Sequence, residues 1–127
     1  MIVVDTSVWV SVLRSPTAPE APLLAQLIDA DVAILPLPVR LELLSGARAR
    51  DRAALQRRLS ALAVARPTEE TWALMEHWLE AATDKGRRFG VGDLLIAALA
   101  AERGALVWSL DTDFERMAEL KLVQLYR

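Results

Sequence analysis

The sequence has no cysteine and only one histidine, His77, among its 127 residues. Disulfide scaffolds and zinc sites built on cysteine or on several histidines are therefore excluded, so any metal must be held by oxygen ligands. The longest uninterrupted apolar run, residues 94–101, is far shorter than the roughly 20 residues of a membrane span. No basic segment typical of a signal peptide opens the chain. These absences predict a soluble, cytoplasmic protein that does not enter a membrane.

The overall composition predicts one folded domain over residues 1–127. Hydrophobic residues make up 54% of the chain, which is too many for a disordered protein. A chain of this length buries roughly two thirds of the surface that its unfolded state exposes. The net charge of −2 argues against a protein that coats nucleic acid non-specifically. Seven arginines nevertheless lie within residues 40–66, where they either bind phosphate groups or form a solvated helix face.

Short apolar runs alternate with segments of helical periodicity along the chain. The helix predicted from Asp93 is apolar on nearly all sides, ends at Gly104, and is expected to be central and buried. Strands that alternate with helices predict an α/β protein with a parallel sheet covered on both faces. Five runs are typical of buried parallel strands: residues 2–4, 32–35, 63–65, 105–108 and 122–125.

Four acidic residues occupy positions that suggest a shared site. Asp5 follows the first predicted strand and Asp111 follows the fourth, and ligands of open α/β sheets bind beyond these carboxyl ends. Glu42 interrupts a leucine run on a predicted helix, and Asp93 opens the apolar helix. Neither has a basic residue three or four positions away, and a buried, unpaired carboxylate costs several kcal/mol. Such acids need either arginines from distant parts of the chain or a divalent metal ion, and oxygen-only sites select Mg²⁺ or Mn²⁺.

A carboxylate-bound metal ion suits hydrolysis of a phosphodiester, because it activates water and neutralises charge on the phosphate. Each acid except Glu42 also has a structural explanation, since Asp5, Asp93 and either Asp111 or Asp113 can cap a helix. Two other functions stay open at this point. One is a non-catalytic module that binds RNA or protein, and the other is a metal-dependent phosphatase that acts on small molecules.

Four segments taken together resemble PIN-domain ribonucleases, and among these the VapC-type toxins of bacterial toxin–antitoxin pairs. Asp-Thr-Ser-Val-Trp at residues 5–9 resembles the opening motif of the family, and residues 39–46 resemble its glutamate-bearing helix. Residues 91–98 resemble the third acidic motif. Residues 109–114 are similar to the last motif, with serine in place of its threonine. Each motif alone is weak, but their order and separation over nearly the whole chain make the resemblance strong.

The resemblance implies a three-layer α/β/α sandwich with a central parallel sheet that cleaves RNA with Mg²⁺ or Mn²⁺. Asp113 lies close enough to Asp111 to share or replace its role as a metal ligand. The hydroxyl groups of Thr6 and Ser109 are expected to position carboxylates or water. The residues implied to hold the metal and carry the catalysis are Asp5, Glu42, Asp93 and Asp111.

The resemblance also implies partners for the chain. It suggests a homodimer and a small antitoxin protein whose C-terminal segment lies over the acidic site, where a basic side chain neutralises the carboxylates. The residues expected to grip the phosphates of the RNA substrate are Arg40, Lys85, Arg87 and Arg88.

Overall fold

Four short parallel strands form the central sheet of the protein. The computed structural model describes all residues, 1–127. The strands are β1 Ile2–Val4, β2 Ala33–Pro36, β3 Ala63–Ala65 and β4 Leu106–Trp108. They lie in the order β3-β2-β1-β4. Val3 of the inner strand β1 pairs with Ile34 on one side and with Val107 on the other. Runs of buried β-branched and aliphatic residues suit a strand that is covered on both faces.

Seven helices flank this sheet, which confirms the predicted α/β fold class. Parallel strands need a crossover connection, and helices supply each crossover here. Since every strand runs in the same direction, the carboxyl ends of all four meet at one edge of the sheet. The helices are α1 Thr6–Arg14, α2 Ala21–Asp29, α3 Leu37–Gly46, α4 Ala49–Leu59, α5 Glu69–Asp84, α6 Val91–Glu102 and α7 Thr112–Glu119.

Helix α6 is the central helix, as its composition predicts. Leu94 and residues 96–100 are all buried, and α6 packs against α3, α5, α7, β1 and β4. Its buried alanines let these neighbours approach closely, and each large aliphatic side chain that it buries contributes roughly 1.5–3 kcal/mol. The first turn of α6, which carries Asp93, is therefore anchored by the core. Despite this apolar helix, none of the seven is both long and apolar enough to cross a membrane.

The predicted strand at residues 122–125 is wrong in its extent. Only Leu125 forms a bridge with Val107 of β4. In this bridge the Val107 N–H donates to the carbonyl of Gln124, and the Tyr126 N–H donates to the carbonyl of Val107. Val123 is buried in the core. The apolar run therefore reflects side-chain burial rather than a hydrogen-bonded ladder.

Candidate metal centre

Asp5 lies at the carboxyl end of β1, where the chain turns into α1. Its carboxylate caps α1 by accepting a bond of 3.3 Å from the backbone N–H of Ser7. Its own N–H donates to the carbonyl of Trp108 at 2.9 Å, which ties the end of β1 to the end of β4. With only 4% of its surface exposed, Asp5 is a buried carboxylate at the edge of the sheet where the sequence predicts a site.

Two serine hydroxyls hold the carboxylate of Asp5. Ser7 Oγ donates to Asp5 Oδ2 at 2.7 Å, and Ser109 Oγ donates to the same oxygen at 2.8 Å. The role expected of Ser109 therefore matches its position. Thr6 does not match, because its buried hydroxyl has no hydrogen-bond partner. Sequence reasoning missed Ser7, although a hydroxyl two residues after an N-cap aspartate is within reach of that carboxylate.

Asp111 and Asp113 lie together at the start of α7. Asp111 is the N-cap, and its Oδ1 accepts a bond of 2.9 Å from the backbone N–H of Asp113. The carboxylate of Asp113 is paired with Arg116, one helical turn further on. Asp111 is exposed and Asp113 is partly buried. The two acids therefore differ in both solvation and charge compensation.

Glu42 and Asp93 meet where α3 passes the first turn of α6. Glu42 Oε1 lies 4.0 Å from the position that a Cβ atom would take at Gly92, the residue before Asp93. Burial raises the pKa of Asp93 to about 6, and repulsion from Asp111, Asp5 and Glu42 adds to this effect. The structure therefore brings the four predicted acids together around Asp93.

The four acids differ in how far they are buried. Asp5 is buried and Asp93 is partly buried, but Glu42 and Asp111 are exposed. The leucines beside Glu42 are not all buried either, since Leu41 is 58% exposed. The site is consequently open to solvent, because the helix that carries Glu42 turns only part of its surface toward the core.

The arrangement of carboxylates fits a hard divalent cation. The carboxylate oxygens of Asp93, Asp111 and Asp113 lie within 4.8 Å of one another, whereas Asp5 and Glu42 lie outside this triplet. The chain has only two ion pairs, Arg87 with Glu119 and Arg116 with Asp113. No basic side chain therefore compensates Asp5, Glu42, Asp93 or Asp111. Oxygen donors with uncompensated negative charge suit Mg²⁺ or Mn²⁺.

The four predicted phosphate-binding residues lie in different surroundings. The guanidinium of Arg87 is 3.2 Å from the carboxylate of Glu119, so this ion pair already uses part of its capacity to donate hydrogen bonds. Lys85 and Arg88 are exposed and form no ion pair. Arg40 lines a shallow depression of about 340 Å³ with Gln56 and Arg57 of α4 and two smaller residues, Ala53 and Ser60.

A larger groove of about 780 Å³ lies between α1, α3 and α4. Its walls include apolar side chains such as Leu13, Leu43 and Leu55. Glu42 also lines it, so the groove adjoins the acidic site. Three arginines stand along it as well: Arg14, Arg48 and Arg58.

Comparisons with known proteins agree with this architecture. A search of curated protein sequences finds no significant match. A chain in the VapBC2 complex from Rickettsia felis bound to promoter DNA is 20% identical with a TM-score of 0.81, over 99% of this chain and 98% of that one. FitAcB from Neisseria gonorrhoeae gives 23% identity and a TM-score of 0.76, with coverage of 100% and 97%.

A third similar structure is VapC20 of Mycobacterium tuberculosis, described as a toxin that cleaves the sarcin–ricin loop. It is 22% identical with a TM-score of 0.67, over 91% of this chain and 94% of that one. At these identities the likeness shows the fold. The family model of the PIN domain matches residues 2–120, nearly the full length described above. The chain therefore belongs to the PIN domain family.

Proposed function

We propose that this PIN domain is a metal-dependent endoribonuclease and the toxin of a toxin–antitoxin pair. The observation that carries the proposal is the convergence of Asp5, Glu42 and Asp111, from three other segments, on Asp93, whose pKa is raised to about 6. Clustered carboxylates without basic partners are costly for stability, which favours a role in function. The shared fold with the sarcin–ricin-cleaving toxin supports cleavage of RNA.

Asp93 and Asp111 are the central ligands of the proposed site, with Asp5 and Glu42 completing its negative charge. A bound Mg²⁺ or Mn²⁺ ion there supplies charge neutralisation at the scissile phosphate and a more acidic water. Asp113 contributes less than Asp111, since Arg116 already compensates its charge. Glu42, which is exposed and belongs to neither ion pair, orients water and accepts its proton.

RNA reaches this site along basic side chains on the surrounding surface. Arg40, Lys85 and Arg88 have no acidic partner, so their charge is available to phosphate oxygens. Arg87 binds phosphate with the part of its guanidinium that Glu119 leaves unoccupied. Planar guanidinium groups suit phosphate better than a point charge does, and the depression lined by Arg40 and Arg57 provides a place for one phosphate group.

We propose a small antitoxin as the protein partner, with its C-terminal segment lying over the site. The groove between α1, α3 and α4 supports this assignment, because it offers apolar walls and leads to Glu42. A basic side chain of the antitoxin would neutralise the carboxylates in place of the metal. A homodimer, which the resemblance to VapC-type toxins implies, and a location in the cytoplasm complete the proposal.

RNA cleavage by the purified protein with Mg²⁺ or Mn²⁺ tests this function. We expect activity in the wild type and in Glu80→Gln, a control on the exposed face of α5, and none in Asp5→Asn or Asp93→Asn. Equal activity in all four proteins would reject the proposal. Binding of RNA without cleavage would instead indicate a binding module, and hydrolysis of a generic phosphomonoester would indicate a phosphatase.

Expression in cells tests the biological part of the proposal. We expect the wild type to arrest growth and Asp5→Asn to leave growth unaffected. A small partner protein encoded beside the toxin should relieve the arrest when it is co-expressed. If neither wild type nor Asp5→Asn affects growth while the purified wild type cleaves RNA, the nuclease activity is supported and the toxin role is rejected.

A further inference from the structure

We infer that Ser7 and Ser109 act as a positioning pair, which occupies one oxygen of the Asp5 carboxylate and turns the other toward the metal ion. This inference rests on the proposed metal-dependent function. It assigns a role to Ser7, a residue outside the acidic set. It also predicts that Asp5 binds the ion through a single oxygen.

The two serine hydroxyls donate their only protons to the same oxygen of Asp5. Each serine hydroxyl has one proton to donate and can accept two bonds. Both protons point to Asp5 Oδ2, at 2.7 Å from Ser7 and 2.8 Å from Ser109. The separation of 3.2 Å between the two serine oxygens is then a contact imposed by their common acceptor, because neither has a second proton to give. Asp5 is therefore the reason that the two hydroxyls meet.

The two oxygens of Asp5 have unlike surroundings. Oδ2 accepts both hydroxyls and, at 3.3 Å, the backbone N–H of Ser7. Oδ1 accepts no hydrogen bond within the protein, yet it is not among the buried polar atoms without a partner, which are Thr6 Oγ1, Trp9 Nε1 and Glu20 Oε2. Oδ1 therefore reaches the solvent of the site. A cation that approaches Asp93 meets this oxygen and not its saturated neighbour.

The same hydroxyls fix the chain segment that carries Asp111. Ser7 Oγ accepts the backbone N–H of Leu110, and Ser109 Oγ accepts that of Asp111, both at 2.9 Å. The carboxylate of the first motif and the backbone of the last are thus joined through two oxygen atoms. Because each bond contributes about 0.5–1.5 kcal/mol, the pair holds Asp5 and Asp111 in a set spacing. Preorganised ligands of this kind bind metal more tightly.

The test is calorimetric titration of Mn²⁺ into wild type, Ser7→Ala, Ser109→Ala and the double variant, after circular dichroism confirms folding. We expect each single alanine variant to bind Mn²⁺ about 10–100-fold more weakly, as measured for groups that orient metal ligands. The double variant should lose less than the product of both effects, because the two serines act on one carboxylate. Ser109→Thr keeps the hydroxyl and should bind Mn²⁺ nearly as tightly as wild type. Ser11→Ala, on the same helix as Ser7, is the matched control.

The outcomes separate this inference from the proposed function. If wild type binds Mn²⁺ and cleaves RNA while Ser7→Ala and Ser109→Ala bind Mn²⁺ as tightly as Ser11→Ala, the positioning role is overturned and the nuclease stands. If wild type binds no Mn²⁺, both proposals fail. Should an alanine variant not fold, Ser7→Cys and Ser109→Cys replace it, because a thiol keeps the volume but is a weak donor. Cleavage by the weaker variants should recover at high Mn²⁺, which a general loss of stability would not produce.

Discussion

Asp113 donates its backbone N–H to the carboxylate of Asp111 at 2.9 Å, while its own carboxylate is paired with Arg116. This relationship separates two acids that sequence reasoning could not tell apart. Burial is the main reason that the pKa of Asp93 is raised, and the charges that raise it further come from Asp111, Asp5 and Glu42. Asp113, although close to Asp93, is compensated by Arg116. Asp111 is therefore the better candidate for the fourth acid of the site.

Replacing each of these two acids by asparagine should give different losses of metal binding. Asn is as good an N-cap as Asp, so Asp111→Asn should keep α7 folded while removing an uncompensated charge. We expect Asp111→Asn to weaken Mn²⁺ binding by at least about tenfold, and Asp113→Asn to weaken it by less. Titration calorimetry measures both. Equal losses would assign the two carboxylates equal roles as ligands.

Neutralising Asp93 should stabilise the metal-free protein while it abolishes metal binding. The raised pKa means that the ionised carboxylate is unfavourable in the folded state. After a discount for its partial exposure and for the favourable helix dipole at its position, we expect Asp93→Asn to gain about 1 kcal/mol at neutral pH. Thermal unfolding without metal, compared with Glu80→Gln, measures this gain. A metal-free Asp93→Asn protein that is less stable than wild type would contradict the unfavourable burial and repulsion of the Asp93 carboxylate.

The raised pKa of Asp93 also predicts a pH dependence of stability. Its value of about 6 in the folded protein exceeds the value of about 3.9 in unfolded chains, so between these pH values the folded state holds a proton that the unfolded state has lost. The contribution of Asp93 to the free energy of unfolding therefore falls as pH rises from about 4 to 6, and is constant above that. Metal binding needs the ionised form, so Mn²⁺ affinity should rise through the same range.

Unfolding curves and Mn²⁺ titrations across this range test the prediction. Asp93→Asn serves as the control, since it lacks the titrating group and should show a flatter dependence of stability on pH. If the stability of wild type and of Asp93→Asn changes with pH in the same way, another titrating group is responsible for the pH dependence.

Much of the fold could be predicted because burial leaves its mark on short apolar runs. β1 has an unbroken buried sequence, and the alanine-rich α6 could only be a central helix. The exception at residues 122–125 has the same cause, because an apolar residue such as Val123 reports burial and not strand pairing. The strand order could not be derived, since it depends on contacts between residues far apart in the chain.

The candidate site, like the fold, could be predicted only in part. Asp5 and Asp111 could be placed at one edge of the sheet, because parallel strands end there. The exposure of Glu42 could not be derived, because helical periodicity does not say which side of α3 meets the core. It could not be derived either that Ser7 rather than Thr6 contacts Asp5. Both hydroxyls follow Asp5 in the sequence, and only the turn into α1 decides which one faces its carboxylate.

The depression shared by Arg40 and Arg57 leads to a final prediction, about binding of RNA. A protein binds single-stranded RNA more weakly as the salt concentration rises. The logarithm of the binding constant falls with the logarithm of the salt concentration, with a slope of about 0.7 for each phosphate that a basic residue neutralises. In an Asp5→Asn background, which should bind RNA without cutting it, we expect Arg40→Gln and Arg57→Gln each to weaken binding of a short single-stranded oligoribonucleotide. Each should also reduce the salt slope by about that amount.

Lys121→Gln is the control for this prediction, because it removes the same charge elsewhere. Lys121 precedes the segment that runs parallel to β4, so it lies at the edge of the sheet opposite the acidic site. Filter binding at several salt concentrations measures both affinity and slope. If Lys121→Gln lowers them as much as Arg57→Gln does, RNA responds only to the net charge of the protein. If the arginine variants alone change the slope, a phosphate group of the RNA lies between α3 and α4.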